Sequence, residues 1–182
     1  MSKITKTPYL LGGLFVVSSL VFNIYMSMFV FEIKGRIEEF YQKDFVDVKE
    51  VSEQLVRDIE KTYGKKLPAV ELNIRLSEYS KTGIRYDVKV LYLFLPPKII
   101  SFTSDQKRAY LAHEFSHYVL GHIDHQNPSS YSFFGTGDLN RDILADSFAL
   151  KFSSVEGLSF VIKKLVGDEN ERKTRLASIG SI

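Results

Sequence analysis

The chain is poor in the residues that mark several common classes of protein. Its 182 residues include no cysteine, no tryptophan and only four histidines. The lack of cysteine excludes a disulfide framework, a cysteine-ligated zinc finger, an iron–sulfur site and a cysteine nucleophile. The formal net charge is only +2, whereas strong nucleic-acid binders usually carry a basic face and a high pI. We therefore expect no nucleic-acid partner.

Charged residues are also missing from one long stretch near the N-terminus. None occurs from Thr7 to Phe31, and 17 of the 23 residues in Tyr9–Phe31 are apolar. A helix of about 20 such residues crosses a bilayer core. We predict a single-pass membrane anchor that contacts lipid through residues 9–31, with a buried core helix and a cleaved signal peptide as the alternatives. The basic residues on the two flanks are nearly balanced, so the side of the membrane stays open.

The rest of the chain has the size of one domain. We predict a tail and anchor at 1–31 and a single domain of α+β class at 32–182. Helical spacing of apolar residues, caps and exits predicts helices near 33–41, 48–59, 103–120, 138–152 and 155–165. Thr103 and Gln106 have the spacing of a capping box at the start of the third of these, and Gly121 marks its exit. Alternation predicts strands at Glu71–Ser77 and Val88–Leu95, joined by a turn at Ser80–Gly83 in a small, mostly antiparallel sheet.

The segment with the most specific chemistry is His113-Glu114-Phe115-Ser116-His117. On a helix, residues four apart lie on one face, so the two imidazoles are spaced to bind one Zn²⁺. Glu114 can reach a water on that ion and act as its general base, which is the mechanism of the H-E-x-x-H motif. All four histidines fall within 113–125. The alternative is a pair of ordinary polar histidines on an exposed helix.

A zinc peptidase also needs a third protein ligand and an open coordination position. The metzincin pattern fails, because Leu120 and Ile123 occupy the positions of its glycine and third histidine. We expect His122 and His125, which closely follow the helix exit, to lie at the surface or behind the ligands.

Two aspartates on the next predicted helix are better candidates. Asp142 and Asp146 are four residues apart, so they share one helical face. One carboxylate can bind zinc while the other orients a ligating histidine through its free ring nitrogen. The alternative is a pair of solvated aspartates near a helix start.

The combination of His113–His117 with Asp142-x-x-Ala-Asp146-x-Phe-Ala149 resembles the gluzincin zinc metallopeptidases. It is most similar to the HtpX-like and CAAX-prenyl-endopeptidase-like group, as a small, single-domain, membrane-anchored member. The resemblance implies a zincin-like fold, Zn²⁺ as cofactor and a peptide or protein substrate. It implies His113, His117 and Asp142 as ligands and Glu114 as catalytic base, with Asp146 supporting a histidine or replacing Asp142 as ligand. Asp142 stands where the family has the longer glutamate.

The resemblance extends weakly to other segments. It implies that Val88–Leu95 is an edge strand on which an extended substrate pairs, and that Arg172–Leu176 matches a closing segment that contains arginine. The aromatic residues and glycines of Gln126–Gly137 indicate a flap over the metal cleft or a plug on the core. The sequence thus predicts a membrane-anchored, zinc-dependent metallopeptidase. The alternative is a catalytically weak or inactive module that binds metal or a partner at the membrane.

Overall fold

The computed structural model describes residues 22–29, 32, 45–74, 82–87, 89–123, 131–133 and 138–180. The chain divides into two units, Met1–Asp44 and Phe45–Ile182. In the first unit, residues 22–29 and 32 are helical, and every side chain of 22–29 is exposed. The exposed large apolar residues of this segment are Phe22, Ile24, Tyr25, Met26, Met28 and Phe29.

The predicted anchor at 9–31 lies mostly outside the described residues, and the predicted helix near 33–41 lies wholly outside them. Within the ranges that the structure does describe, none of the helices combines the length and the apolarity needed to cross a bilayer.

The second unit combines helices with one small sheet, which confirms the α+β class. Its helices are α1 (45–63), α2 (Ser104–Val119), α3 (Leu139–Ala149), α4 (Val155–Leu165) and α5 (Glu169–Gly180), with a 3₁₀ turn at Pro97–Ser101. Its strands are β1 (Ala69–Ile74), β2 (Gly83–Asp87), β3 (Val90–Leu95) and β4 (Tyr131–Phe133). The predicted helices in this unit are therefore present. Helix α3 ends three residues earlier than predicted, because the carbonyls of Phe148 and Ala149 accept hydrogen bonds from residues three positions later, as in a 3₁₀ turn.

The sheet differs from the prediction in its connections. Its order is β1-β3-β2-β4, with β1 parallel to β3 and the other two pairs antiparallel. Residues 80 and 81 of the predicted turn at Ser80–Gly83 lie outside the described residues, and Gly83 belongs to strand β2 instead of a turn. Strand β2 ends at Asp87 and pairs antiparallel with β3, which begins at Val90 after a short connection. Lys89 has a φ of 77°, a conformation that suits such a short connection. The predicted edge position of Val88–Leu95 is also wrong, since β3 has a neighbour on both sides.

The core lies between one face of the sheet and the helices. Burial alternates along β3, where Leu91, Leu93 and Leu95 are fully buried, as expected for a strand with one face on the core. Leu55 and Ile59 of α1 join the same cluster. Helix α2 is buried along most of its length, from Ala109 to His117, so the chemistry-bearing segment runs through the interior.

Helix α5 was not predicted because it lacks a continuous apolar stripe. Only Arg175 and Ile179 are fully buried in it, and most of its other residues are polar. A start signal is nevertheless present: Asp168 accepts a hydrogen bond from the Glu171 backbone at 2.8 Å, the pattern of a helix N-cap.

Replacing Gly157 with alanine should destabilise the protein. Alanine normally favours a helix over glycine by about 1 kcal/mol, but a Cβ here would overlap the Asp105 carboxylate that binds Ser154 at the start of α4. We expect the free energy of unfolding, measured by urea denaturation, to fall by about 1–3 kcal/mol. The control is Gly167→Ala, since a Cβ there meets no atom within 4 Å. A Gly157→Ala protein as stable as this control would contradict the packing described.

Candidate metal centre

Helix α2 carries the motif into the interior from a well-defined start. Thr103 accepts a hydrogen bond from the Gln106 backbone, and the Gln106 side chain accepts one from the Thr103 backbone, so the predicted capping box is present. His113 and Glu114 are 0% exposed and His117 is 1% exposed. The alternative of polar histidines on an exposed helix is therefore wrong.

Helix α3 runs antiparallel to α2 and places its aspartates against the histidines. Asp146, near its end, contacts His113, while Asp142, one turn earlier, contacts His117. Asp142 is 2% exposed and Asp146 is 0% exposed. The alternative of solvated aspartates is wrong as well, because both carboxylates lie in the interface between the two helices.

Three donor atoms converge in this interface. His113 Nε2 lies 3.2 Å from His117 Nε2, and Asp142 Oδ1 lies 3.9 and 3.6 Å from those two nitrogens. Ligand atoms about 2.0–2.1 Å from one zinc ion at tetrahedral angles are about 3.3 Å apart. The donor set of two imidazoles and one carboxylate therefore has a chemistry and spacing that could hold a metal ion.

Asp146 has different partners from Asp142. Its Oδ1 lies 2.8 Å from His113 Nδ1, and Arg175 donates to both of its oxygens at 2.8 Å. With Nδ1 engaged in this way, His113 keeps the lone pair on Nε2 directed at the other donors. Asp146 thus orients His113, while Asp142 provides one of the three candidate metal ligands.

Arg175 is a buried residue to which the sequence alone assigned no role. It is 0% exposed, and besides Asp146 its Nη1 lies 3.4 Å from Asp142 Oδ2 and 3.2 Å from Glu171 Oε1. The only sequence signal was the weak resemblance of Arg172–Leu176 to a family segment that contains arginine.

Glu114 is buried on the same helix, and both of its carboxylate oxygens are inaccessible. No donor among the described residues meets these oxygens in full hydrogen-bond geometry. The Tyr110 hydroxyl, one turn earlier, is close enough to lower the pKa of Glu114 by a weak hydrogen-bonding interaction, but its 3.3 Å contact is with the Phe94 carbonyl oxygen. A buried carboxyl left in this way costs free energy unless a water, a cation or a proton satisfies it.

The buried ionisable side chains between α2, α3 and α5 carry unbalanced charge. Three buried carboxylates, Glu114, Asp142 and Asp146, lie near one buried guanidinium, Arg175, so the described residues leave two negative charges uncompensated when all three are ionised. Burial raises the pKa of Asp142 to about 7, and burial together with the Asp142 charge raises the pKa of Glu114 well above its usual range. A divalent cation would supply the missing charge in place of these protons.

The other ionisable groups are held in the states that metal binding requires. Burial lowers the pKa of His113, and burial with the neighbouring His113 lowers the pKa of His117 to about 2, so both rings are neutral. Burial disfavours the ionised form of Asp146, but the hydrogen bonds from His113 and Arg175 outweigh that effect and lower its pKa. Neutral imidazoles and a carboxylate are the forms that bind metal ions.

Of the two histidines that follow α2 closely, His122 and His125, the structure describes His122. His122 is half-buried, and its Nδ1 lies 3.0 Å from His117 Nδ1, so it sits behind a candidate ligand. His125 lies outside the described residues, as does Gln126–Gly137 apart from 131–133, where the backbone forms the unpredicted strand β4.

Comparison with known proteins does not place this chain in a family. No family model, curated protein or solved structure matches it. The resemblance to gluzincins therefore depends on the motif residues, and the metal centre depends on the geometry of α2, α3 and α5.

Loss of the Arg175 guanidinium should strongly destabilise the protein. Arg175→Met would leave Asp142 and Asp146 buried without their cationic partner, at a cost of about 3–5 kcal/mol. The control is Lys173→Met on the same helix, since Lys173 pairs with Glu169 at 2.8 Å but both side chains are largely exposed. We expect that variant to change stability by less than about 1 kcal/mol. Urea denaturation measures both, and equal small effects would contradict the role of the buried pair.

Proposed function

We propose that this chain is a membrane-anchored, zinc-dependent metallopeptidase. The observation that carries the proposal is the convergence of His113 Nε2, His117 Nε2 and Asp142 Oδ1 in one buried group, with Glu114 beside the first histidine. Two imidazoles, one carboxylate and an adjacent glutamate form the arrangement in which zinc hydrolases cleave amide bonds. The similarity of the motifs to gluzincins supports the same activity and a zincin-like domain.

The chain's residues have distinct roles in this proposal. His113, His117 and Asp142 would hold zinc, and Asp146 fixes His113 through its Nδ1. Bound zinc supplies a Lewis acid that polarises a peptide carbonyl and acidifies a water. Glu114 accepts the proton of the attacking water and returns it to the leaving nitrogen. The positive charge of a cation favours the ionised form of Glu114, which this step requires and which burial alone opposes.

The first unit supports the membrane anchor. All eight residues of the helical segment 22–29 are exposed, and most of them are large and apolar. A helix whose exposed surface consists mostly of large apolar side chains is poorly solvated by water, and a lipid bilayer satisfies it. We propose that residues 9–31 provide this anchor and that the substrate is a peptide or protein.

One observation favours the alternative, a catalytically weak or inactive metal-binding module. His113, Glu114, His117 and Asp142 are each at most 2% exposed, and a peptidase must admit a substrate carbonyl to its metal. A structural zinc site, in contrast, is closed. Proteolysis separates the two functions, because only the enzyme depends on Glu114.

Replacing Glu114 with glutamine should abolish proteolysis without removing the metal. Glutamine keeps the shape of the side chain but cannot accept a proton, and a general base contributes about 10²–10⁴-fold to a rate. We expect cleavage of a denatured protein substrate, or autocleavage, to fall by that factor while the zinc content per chain stays unchanged. Glu156→Gln, at an exposed position in α4, is the control and should cleave normally. Equal cleavage by the Glu114→Gln and wild-type proteins would overturn the mechanism.

Zinc affinity should rise with pH through about 7. A proton on Asp142, whose pKa burial raises to about 7, must leave before the carboxylate can bind the ion. The proton of His117 does not compete in this range, because burial and the neighbouring His113 lower its pKa to about 2, and burial also lowers the pKa of His113. Below pH 7, we expect the affinity to fall about tenfold per pH unit for each proton displaced.

A chelator competition assay between pH 6 and 8 measures this dependence. Asp142→Asn is the comparison, since it removes the titrating ligand and should bind zinc more weakly with a flatter pH profile. A wild-type affinity independent of pH over this range would contradict the assignment of Asp142.

A further inference from the structure

The end of helix α2 folds His122 back over His117. Gly121 has a φ of 73°, its N–H donates to the Tyr118 carbonyl at 3.2 Å, and the His122 N–H donates to the His117 carbonyl at 2.8 Å. These two bonds and the left-handed glycine define a Schellman motif. In this motif the second residue after the cap commonly contacts the residue five positions earlier. Here both residues are histidines.

The two rings are in direct contact. His117 Nδ1 and His122 Nδ1 are 3.0 Å apart, and the ring centroids are 5.1 Å apart at an interplanar angle of 60°. His122 is half-buried, and Arg141 of α3 lies 3.4 Å from its carbonyl oxygen. Backbone bonds therefore fix the position of His122 independently of its ring.

The hydrogen bond between the two rings has a defined donor and acceptor when His117 binds a metal ion. A neutral imidazole has one donor and one acceptor nitrogen, so a His117 ring that offers the Nε2 lone pair to a cation carries its hydrogen on Nδ1. Within the part of the chain that the structure describes, the acceptor that faces this hydrogen is His122 Nδ1, at 3.0 Å. Metal-bound histidines usually donate this hydrogen to a carboxylate, a carbonyl or water, and such partners set affinity. His113 follows that rule with Asp146, whereas His117 has an imidazole instead.

We propose that His122 is a positioning residue that fixes the tautomer and orientation of His117 in the metal centre. The inference depends on the proposed metal centre but not on peptidase activity. The acceptor for His117 is a neutral imidazole, whereas the acceptor for His113 is a carboxylate held by Arg175. The two histidine ligands are therefore supported unequally, and the His117 side depends on a residue at the surface of the helix end.

The test compares His122→Phe with His122→Asn in the full chain, using zinc alone as the probe. Phenylalanine keeps the ring volume but removes the acceptor, so zinc affinity should fall about 10–100-fold. Asparagine places an amide oxygen near the position of Nδ1 and should restore most of that affinity. The melting temperature of chelator-treated protein should be similar in wild type and both variants.

A spectroscopic readout tests the contact itself. In ¹⁵N-histidine-labelled, zinc-loaded wild type, we expect the hydrogen on His117 Nδ1 and a coupling through the hydrogen bond to His122 Nδ1. Undiminished zinc affinity in His122→Phe, or a hydrogen on His122 Nδ1, would overturn the proposal. Equal loss of affinity in both variants with a lowered melting temperature would also overturn it, since His122 would then act through stability.

The outcomes separate this inference from the proposed function. Wild-type protein that takes up no zinc would overturn the metal centre and the role of His122 together. Protein that binds zinc through the His122 contact but cleaves no substrate would leave the positioning role in place and overturn only the peptidase.

Discussion

The packing of α2 against α3 buries more negative charge than the neighbouring described residues compensate. Glu114, Asp142 and Asp146 lie in this interface, and Arg175 is the one guanidinium buried with them in the described ranges. The rest of the unit is arranged around that constraint. Helix α5 buries few apolar side chains, and Arg175 is the largest group that it inserts into the interior. Helix α5 thus contacts the rest of the unit both through Ile179 and Leu176 at the core and through Arg175 in the same group that could bind a cation.

Two aspartates one turn apart on α3 have opposite electrostatic environments. Asp146 accepts hydrogen bonds from His113 and from two nitrogens of Arg175, which hold its pKa low despite burial. Asp142 receives only a long contact from Arg175 and faces the donor atoms of two histidines, so burial raises its pKa to about 7. The first carboxylate is therefore held in its ionised form against the His113 ring, while in the proposed metal site the second would exchange a proton for a cation. Contacts made by another helix, rather than residue type, divide the two roles.

Sequence patterns predicted the features that depend on local chemistry. The capping box at Thr103, the helix exit at Gly121 and the pairing of His113 with His117 all follow from spacing along one helix. The approach of Asp142 and Asp146 to those histidines was also expected. Strand β2 was missed because its signal is five residues long and includes Arg85 and Asp87. Without β2, the predicted sheet lacked one neighbour of β3, which lies in the interior of the observed sheet. The partners of Arg175 depend on tertiary packing, which no local pattern contains.

Asp142 stands at the position where the gluzincins that its motif resembles have glutamate, and the residues packed near it on the two helices are small. An aspartate is one methylene shorter, so the backbone of α3 must lie closer to α2 for its oxygen to reach the histidines. Besides Asp146, Ala145 and Ala149 share a helical face with Asp142, and both are fully buried. On α2, Ala109 and Ser116, at helical spacing from His113, are small and fully buried as well. Since the distance between packed helices depends on the size of the side chains in contact, small residues beside the ligands allow the closer approach that the shorter carboxylate requires.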